Sequence, residues 1–175
     1  MAQAPIIPPT PANTSHPWLQ TRDGIAEASS GAFAANQFVT VAGTPSTLIA
    51  TTTGAITVYG LEQRAAAGTG AEPYTAPTGT THFPINPDGV TFWVNTMDSN
   101  RAVGTGSAAG LIVGSSYGLA SFTTSGYTNI QGLNTSVTTS TQAMFRVEQV
   151  GGYGDTTTAD TNCPVRVSIL PANIL

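Results

Sequence analysis

The sequence predicts an all-β protein, either an antiparallel β-sandwich or a jelly-roll-like β-barrel, with an extended proline-rich N-terminal arm and little helix. Charged residues make up only 8% of the 175 residues, against about 25% in an average soluble protein, so few solvated helix faces can form. Threonine is the commonest residue, and its β-branched side chain suits a pleated strand. The 19 glycines and 12 prolines separate short apolar runs, as turns do.

The first element is an arm formed by residues 1–17. Its five prolines exclude a helix and favour an extended conformation. Apolar side chains lie among these prolines, and a purely solvated tail has little reason to carry them. We therefore expect the arm to lie across a neighbouring subunit, with a disordered tail as the alternative. The expected contact residues of the arm and its end are Pro5, Ile6, Ile7, Pro8, Pro9, Pro11 and Trp18.

Residues 18–175 are expected to form a single β-rich domain. Residues 23–35 have the only helix-like composition, and two glycines limit them to one short turn. Alternating apolar residues predict a strand over residues 37–41. Residues 48–50 and 55–59 flank a Thr-Gly pair, which predicts a hairpin between them.

The second half of the domain carries the strongest strand pattern, at residues 90–94, with Val90, Phe92 and Val94 on one face. A short apolar run between glycines predicts another strand at residues 111–113. Near the C-terminus, residues 144–150 and 165–169 each alternate one apolar face with one polar face.

A long irregular loop is expected at residues 65–89, where four prolines interrupt a stretch without periodicity. Loops of this length are usually functional or disordered. Because the stretch contains Tyr74, His82 and Phe83, we interpret it as a second contact element, with plain flexibility as the alternative.

The charge pattern excludes several classes of function. The net charge is −4, and the five basic residues are scattered single arginines, so the clustered cations that bind phosphate backbones are missing. The sequence contains no lysine, which removes Schiff-base chemistry and a P-loop lysine. No run approaches the roughly 20 apolar residues of a membrane helix, and the N-terminus lacks the pattern of a signal peptide. We expect neither nucleic-acid nor membrane binding.

The candidate chemical groups are few. Cys163 can pair only with His16 or His82 as a thiol nucleophile, and a buried structural role is the better interpretation of this cysteine. The glycine-rich residues 104–109 imitate a dinucleotide-binding pattern but are followed by an apolar run rather than a helix. Asp155, Asp160 and Asn162 could offer oxygen ligands to calcium, although an ordinary polar loop explains them better. We expect no enzyme activity, no cofactor and no metal.

The whole-chain pattern remains: a proline-rich start, abundant glycine, threonine and alanine, almost no glutamate, and a last strand at residues 164–170 before Pro-Ala-Asn-Ile-Leu. In these features the chain resembles the small head decoration, or cement, proteins of tailed bacteriophages. The resemblance implies a structural virion protein that is made in the host cytoplasm and binds the outer capsid surface. It also implies two partners, the major capsid protein and further copies of the chain in a homotrimer.

Two other interpretations stay open. One is a different virion subunit, such as a tail-tube, fibre or capsid-shell protein. The other is a β-sandwich adhesin or carbohydrate-binding module, which would use Trp93, Tyr59, Tyr117 or Tyr127.

Overall fold

A computed structural model describes residues 4–12, 19–26, 33, 35–43, 47–51, 56–63, 81–97, 106–124, 127–138 and 141–175. Within these ranges the chain is nearly all β, with a 3-10 turn at Pro171–Asn173 and no α-helix, which confirms the expected fold class. The strands in chain order are β1 (Thr10–Pro11), β2 (Ile25–Ala26), β3 (Gln37–Ala42), β4 (Thr47–Ala50), β5 (Gly60–Glu62), β6 (Thr81–His82), β7 (Thr91–Met97), β8 (Ser116–Thr124), β9 (Tyr127–Asn134), β10 (Phe145–Val150) and β11 (Pro164–Ile169).

Five of these strands form a closed barrel. Their order is β7-β11-β10-β8-β9, and β9 returns to β7 through the parallel pairs Thr96–Leu133 and Met97–Asn134. The other four pairings of the barrel are antiparallel. Closure leaves these strands without a free edge along their paired lengths, so the barrel is protected from edge-to-edge association there.

The barrel core comes from the alternation that the sequence predicts. Phe92 and Val94 of β7 are both fully buried, as the pattern of this strand indicated. Alternate residues of the other barrel strands complete the interior. The buried side chains are Phe92, Val94, Leu119, Leu133, Phe145, Val147, Val165 and Val167.

A three-stranded sheet, in the order β4-β3-β5, packs against the barrel core through Phe38. The Phe38 ring lies edge-on to Phe92, with centroids 5.1 Å apart, and 5.6 Å from the ring of Phe145. Edge-to-face pairs of this kind add about 0.5–1.5 kcal/mol beyond burial alone. The sheet and the barrel therefore share one aromatic cluster.

Gln131 of β9 fixes the position of β3 on the barrel. Its Oε1 accepts from the Phe38 backbone N–H at 2.5 Å, and its Nε2 donates to the carbonyls of Phe38 at 3.0 Å and Thr51 at 2.6 Å. Gln131 is 1% exposed, so losing these bonds would leave buried polar groups unsatisfied. The Gln131 amide therefore fixes the position of β3 relative to β9 within an otherwise apolar contact.

Two of the strand predictions are wrong. Residues 48–50 and 55–59 do not form a hairpin with each other, because 48–50 lie in β4 on one side of β3, whereas the described residues 56–59 lead into β5 on its other side and carry only the isolated β-bridge between Val58 and Ile174. The run 111–113 is not a strand but leads into a turn at residues 113–114. Of the helix-like residues 23–35, Ile25 and Ala26 form β2, whereas 27–32 and 34 lie outside the described residues.

Candidate functional site

The N-terminal segment, residues 4–12, lies extended along the outer edge of β7. Thr10 pairs with Trp93, Pro11 pairs with Phe92, and the Ala12 N–H donates to the Thr91 carbonyl at 2.7 Å. The segment therefore adds an edge strand to the sheet that contributes to the barrel.

One buried amide, that of Asn95, holds this segment in place. Its Oδ1 accepts from the Ile7 N–H at 2.8 Å, and its Nδ2 donates to the Pro5 carbonyl at 2.9 Å. The same Nδ2 donates to the Asn162 carbonyl at 2.6 Å. Asn95 is fully buried, so the amide ties the N-terminal segment, β7 and the loop before β11 together.

The extended conformation of the segment is as expected, but the structure lays residues 4–12 on their own domain instead of leaving them as an arm. The physical reason is burial, because Ile6 packs on the cluster formed by Met97, Ala120 and Ile130. Pro9 is buried, Pro5 is exposed, and Ile6, Ile7, Pro8 and Pro11 are partly buried. Trp18 lies outside the described residues.

Residues at the two ends of the predicted loop 65–89 contact each other. Leu61 and Ile85 exchange two backbone hydrogen bonds, at 3.1 and 2.8 Å. Beside them, His82 Nδ1 lies 3.5 Å from Glu62 Oε2, and the His82 ring stands edge-on to Phe33 at 5.0 Å. Because His82 is 2% exposed, its expected role as a partner contact is wrong, and the residue closes the loop instead.

Phe83, the next residue, is exposed, and its role as a partner contact stays a prediction. Its side chain is 60% exposed. The ring covers the Cα of Gly24, where a Cβ would come within 2.7 Å of the Phe83 Cε1 atom. The glycine therefore permits this close approach, and the ring is supported on one side while its other side faces solvent. Tyr74 lies outside the described residues.

Four exposed aliphatic side chains escaped the sequence analysis as contact candidates. Ile112 and Val113 stand together before Gly114, at 64% and 60% exposure. Ile56 and Leu175, at 47% and 48% exposure, come from adjacent segments, because the Leu175 N–H donates to the Val58 carbonyl at 3.0 Å. The glycines on both sides of residues 111–113 indicated a turn and could have suggested an exposed tip.

Cys163 lies in the barrel core, fully buried. Burial raises the pKa of its thiol above the ordinary value of 9.0, and the nearby charge of Asp160 raises it further, while a contact with the Thr156 hydroxyl lowers it. The thiol also donates to the Pro164 carbonyl at 3.4 Å. These surroundings suit a small buried side chain and disfavour the thiolate that a nucleophile requires.

The polar loop before β11 is organised by its own hydrogen bonds. Asp160 Oδ2 accepts from the backbone N–H and the hydroxyl of Thr157, at 2.8 and 3.1 Å. Asn162 is buried with a positive φ of 56°, and its amide donates to the Thr96 carbonyl at 2.8 Å. Among the residues that the structure describes, no three acidic, histidine or cysteine side chains gather as a metal site would need.

The aromatic residues considered for carbohydrate binding differ in position. Tyr117 is buried at 6% exposure, and its hydroxyl accepts from the Ile112 N–H at 3.4 Å. Tyr59 lies under the Arg22 guanidinium, 4.6 Å from the ring centroid, and donates its hydroxyl proton to the Asp23 carbonyl. Trp93 is partly exposed on the outer face of β7, and the side chain of Tyr127 is outside the described set.

Comparisons of this chain with protein-family models, with curated proteins and with solved structures find no match. In the described ranges, no helix has the length and apolar character required to cross a membrane.

Proposed function

We propose that this chain is a structural virion protein that decorates the outer surface of a tailed-phage head and stabilises the lattice of the major capsid protein. In this proposal it acts without catalysis, as a homotrimer. It would bind across the seams between capsid subunits and leave the genome side of the shell untouched. A tail-tube, fibre or shell subunit is the related alternative.

The observation that carries the proposal is the apolar turn at Ile112 and Val113. Both side chains are β-branched and at least 60% exposed, so neither gains from its position in the isolated chain. β-branched residues favour strands over turns, and local conformational preference does not explain them. We infer that this adjacent pair forms part of a surface that another protein covers.

Phe83 and the low charge of the chain support the same conclusion. Phe83 is exposed beside the closed base of the predicted loop, and its ring lies against Gly24. Because only 8% of residues are charged, few long charged side chains surround these apolar groups and keep a partner away.

Cementing would work through burial of these groups across a capsid seam. Each square ångström of apolar surface removed from water contributes about 25 cal/mol before the ordering costs of association. Contacts of a few hundred square ångströms give modest affinity for a single copy. A trimer that engages three equivalent positions binds more tightly through effective concentration.

The proposal is tested by adding purified protein to heads of the encoding phage that were produced without this gene. Sedimentation then separates bound from free protein, and thermal release of DNA from the heads measures stabilisation. We expect saturable binding by the wild-type chain and heads that open at a higher temperature. We expect the double variant Ile112→Ser, Val113→Ser to lose most of the bound fraction.

The matched control is Ala109→Ser, an exposed residue of the same loop that changes polarity without removing a large apolar group. This control should bind as the wild-type protein does. Failure of the wild-type chain to sediment with the heads would overturn the proposal. Equal binding by the double variant would exclude the 112–113 turn as the contact.

A further inference from the structure

A row of side chains crosses the outer face of the barrel over β7, β11 and β10. Trp93 pairs directly with Arg166, and Arg166 pairs with Gln149. Directly paired residues point to the same side of a sheet. The flanking residues Val94 and Val165 point into the core, so the row Trp93, Arg166 and Gln149 points outward.

A β-bulge in β10 places one additional polar side chain on this outer face. The register between β10 and β11 shifts between Val147 and Gln149, so Glu148 and Gln149 together oppose Arg166. Both side chains are partly exposed, whereas strict alternation would have turned one of them inward. Bulges re-aim side chains in this way and are over-represented beside functional sites.

The aromatic end of the row is built from Trp93 and Tyr153. Their ring centroids are 5.3 Å apart at an interplanar angle of 64°, and both side chains are partly exposed. Within the described part of the chain, neither the indole N–H nor the phenol hydroxyl makes a hydrogen bond. The two rings therefore offer an apolar surface rimmed by two groups that can bond to a ligand.

The cationic end of the row is Arg166. Its guanidinium makes no hydrogen bond and no ion pair with any residue that the structure describes, and its Nε is buried. Glu148, the neighbouring acid, already accepts the Ser168 hydroxyl proton at 2.6 Å. The Gln149 amide donates to the Gly151 carbonyl at 3.1 Å, which fixes its direction. Because Nε is covered, a ligand can reach Arg166 only through the two Nη atoms, which have no partner among the described residues.

We propose that this outer face binds a carbohydrate that contains a carboxylated sugar. The sugar ring stacks on Trp93 and Tyr153, its carboxylate pairs with the two Nη atoms of Arg166, and its hydroxyls bond to Gln149 and Glu148. Arg166 and the exposed Arg146 outnumber the single acid Glu148 on this face, in a protein of net charge −4, and this local excess of positive charge favours an acidic over a neutral ligand. This binding goes beyond capsid decoration and does not depend on it.

The test is a fluorescence titration of the isolated protein with the single-tryptophan variant Trp18→Phe, in which Trp93 is the only indole. The probe is a short oligogalacturonate, and the neutral comparison is a malto-oligosaccharide of the same length. We expect a saturable change in Trp93 emission with the acidic probe and binding about tenfold weaker with the neutral one. Raising the salt concentration should weaken the acidic binding, because a partly exposed ion pair is screened.

Arg166→Gln is the diagnostic variant, and Arg146→Gln is its matched control, because it removes the same charge from a neighbouring row of the same face. We expect the first variant to weaken oligogalacturonate binding about tenfold and the second by less than about threefold. Thermal unfolding checks that both variants remain folded. No saturable signal from the acidic probe, equal affinity for the neutral probe, or unchanged binding by Arg166→Gln would overturn the proposal.

Discussion

The barrel and the N-terminal segment share β7, yet they are held to it in different ways. In the barrel, β7 pairs with β11 over five residues and packs Phe92 and Val94 into a closed apolar interior. Residues 4–12 are held by the two register pairs of β1, by single bonds from Ala12 and Ala4, by the amide of Asn95 and by the packing of Ile6 on a small apolar cluster. An extended, proline-rich segment can therefore belong to a fold through a few hydrogen bonds and one small apolar contact.

The position of β1 at a sheet edge gives a second reason for the many prolines of the segment. β1 lies at the edge of the six-stranded sheet, and Pro8, Pro9 and Pro11 have no N–H to offer to a further strand. Prolines at an edge discourage unwanted pairing. Their density therefore fits an edge strand of this domain as well as an arm that reaches a neighbour.

The largest effect should come from the barrel interior. Phe92→Ala removes a fully buried ring that contacts Phe38, so we expect the free energy of unfolding to fall by about 3–5 kcal/mol. Urea unfolding followed by circular dichroism measures it. A loss below about 1 kcal/mol would mean that Phe92 is not in the shared core.

A smaller and more local effect is expected at Asn95. Asn95→Ala removes the acceptor for the Ile7 N–H and the donor to the Pro5 and Asn162 carbonyls, which should cost about 2–4 kcal/mol. Hydrogen exchange should accelerate most at Ile7, while the barrel amides stay protected. The control is Asn86→Ala, a loop asparagine that accepts one N–H from Asp88, with an expected loss of at most about 1 kcal/mol.

The outcome at Asn95 separates two accounts of the segment. Release of residues 4–12 with an intact barrel supports attachment through the amide. Unfolding of the whole domain in one step would mean that the segment is as integral as a barrel strand, and the contrast would fail.

Cys163 gives a pH test of the barrel interior. Because burial raises the pKa of this thiol in the folded state, the unfolded chain loses the thiol proton first as pH rises. The stabilisation that the neutral, buried thiol gives the folded state is fully present below the ordinary pKa of 9.0. It is lost as pH rises from there through the pKa of the folded state. Between pH 8 and 11, the wild-type stability should therefore decline more steeply than that of Cys163→Ala. Parallel curves would place the thiol in contact with solvent.

The smallest effect on stability belongs to the apolar turn. Ile112→Ser and Val113→Ser replace side chains that are at least 60% exposed, so each should change the free energy of unfolding by no more than about 0.5 kcal/mol. Chemical denaturation of the two single variants measures this change. A loss of 2 kcal/mol would show that the turn packs on its own domain and is not available to a partner.

The alternation of the sequence predicts much of the barrel. The expected strands at 90–94, 144–150 and 165–169 correspond to β7, β10 and β11, because each has one buried and one wet face. Alternation does not say which strands become neighbours. The expected hairpin was wrong for that reason, since β3 lies between β4 and β5.

The polar contacts that fix the fold could not be predicted from the sequence. Gln131 and Asn95 reach backbone groups 93 and 90 residues away, and no local pattern marks such partners. His82 was misplaced because a histidine in a proline-rich stretch gives no sign of the distant Glu62 beside it. Phe83 is exposed, and no feature of the sequence marks Gly24 as the residue against which its ring lies. Its role as a partner contact stays a prediction.

The most direct test of the proposed function is a cryo-electron microscopy reconstruction of the intact phage particle at a resolution that separates subunits. The account predicts trimeric density on the outside of the head into which this barrel fits, with the 112–113 turn or Phe83 against the major capsid protein. Density for the barrel in the tail tube or on the genome side of the shell, or its absence from the particle, would contradict it.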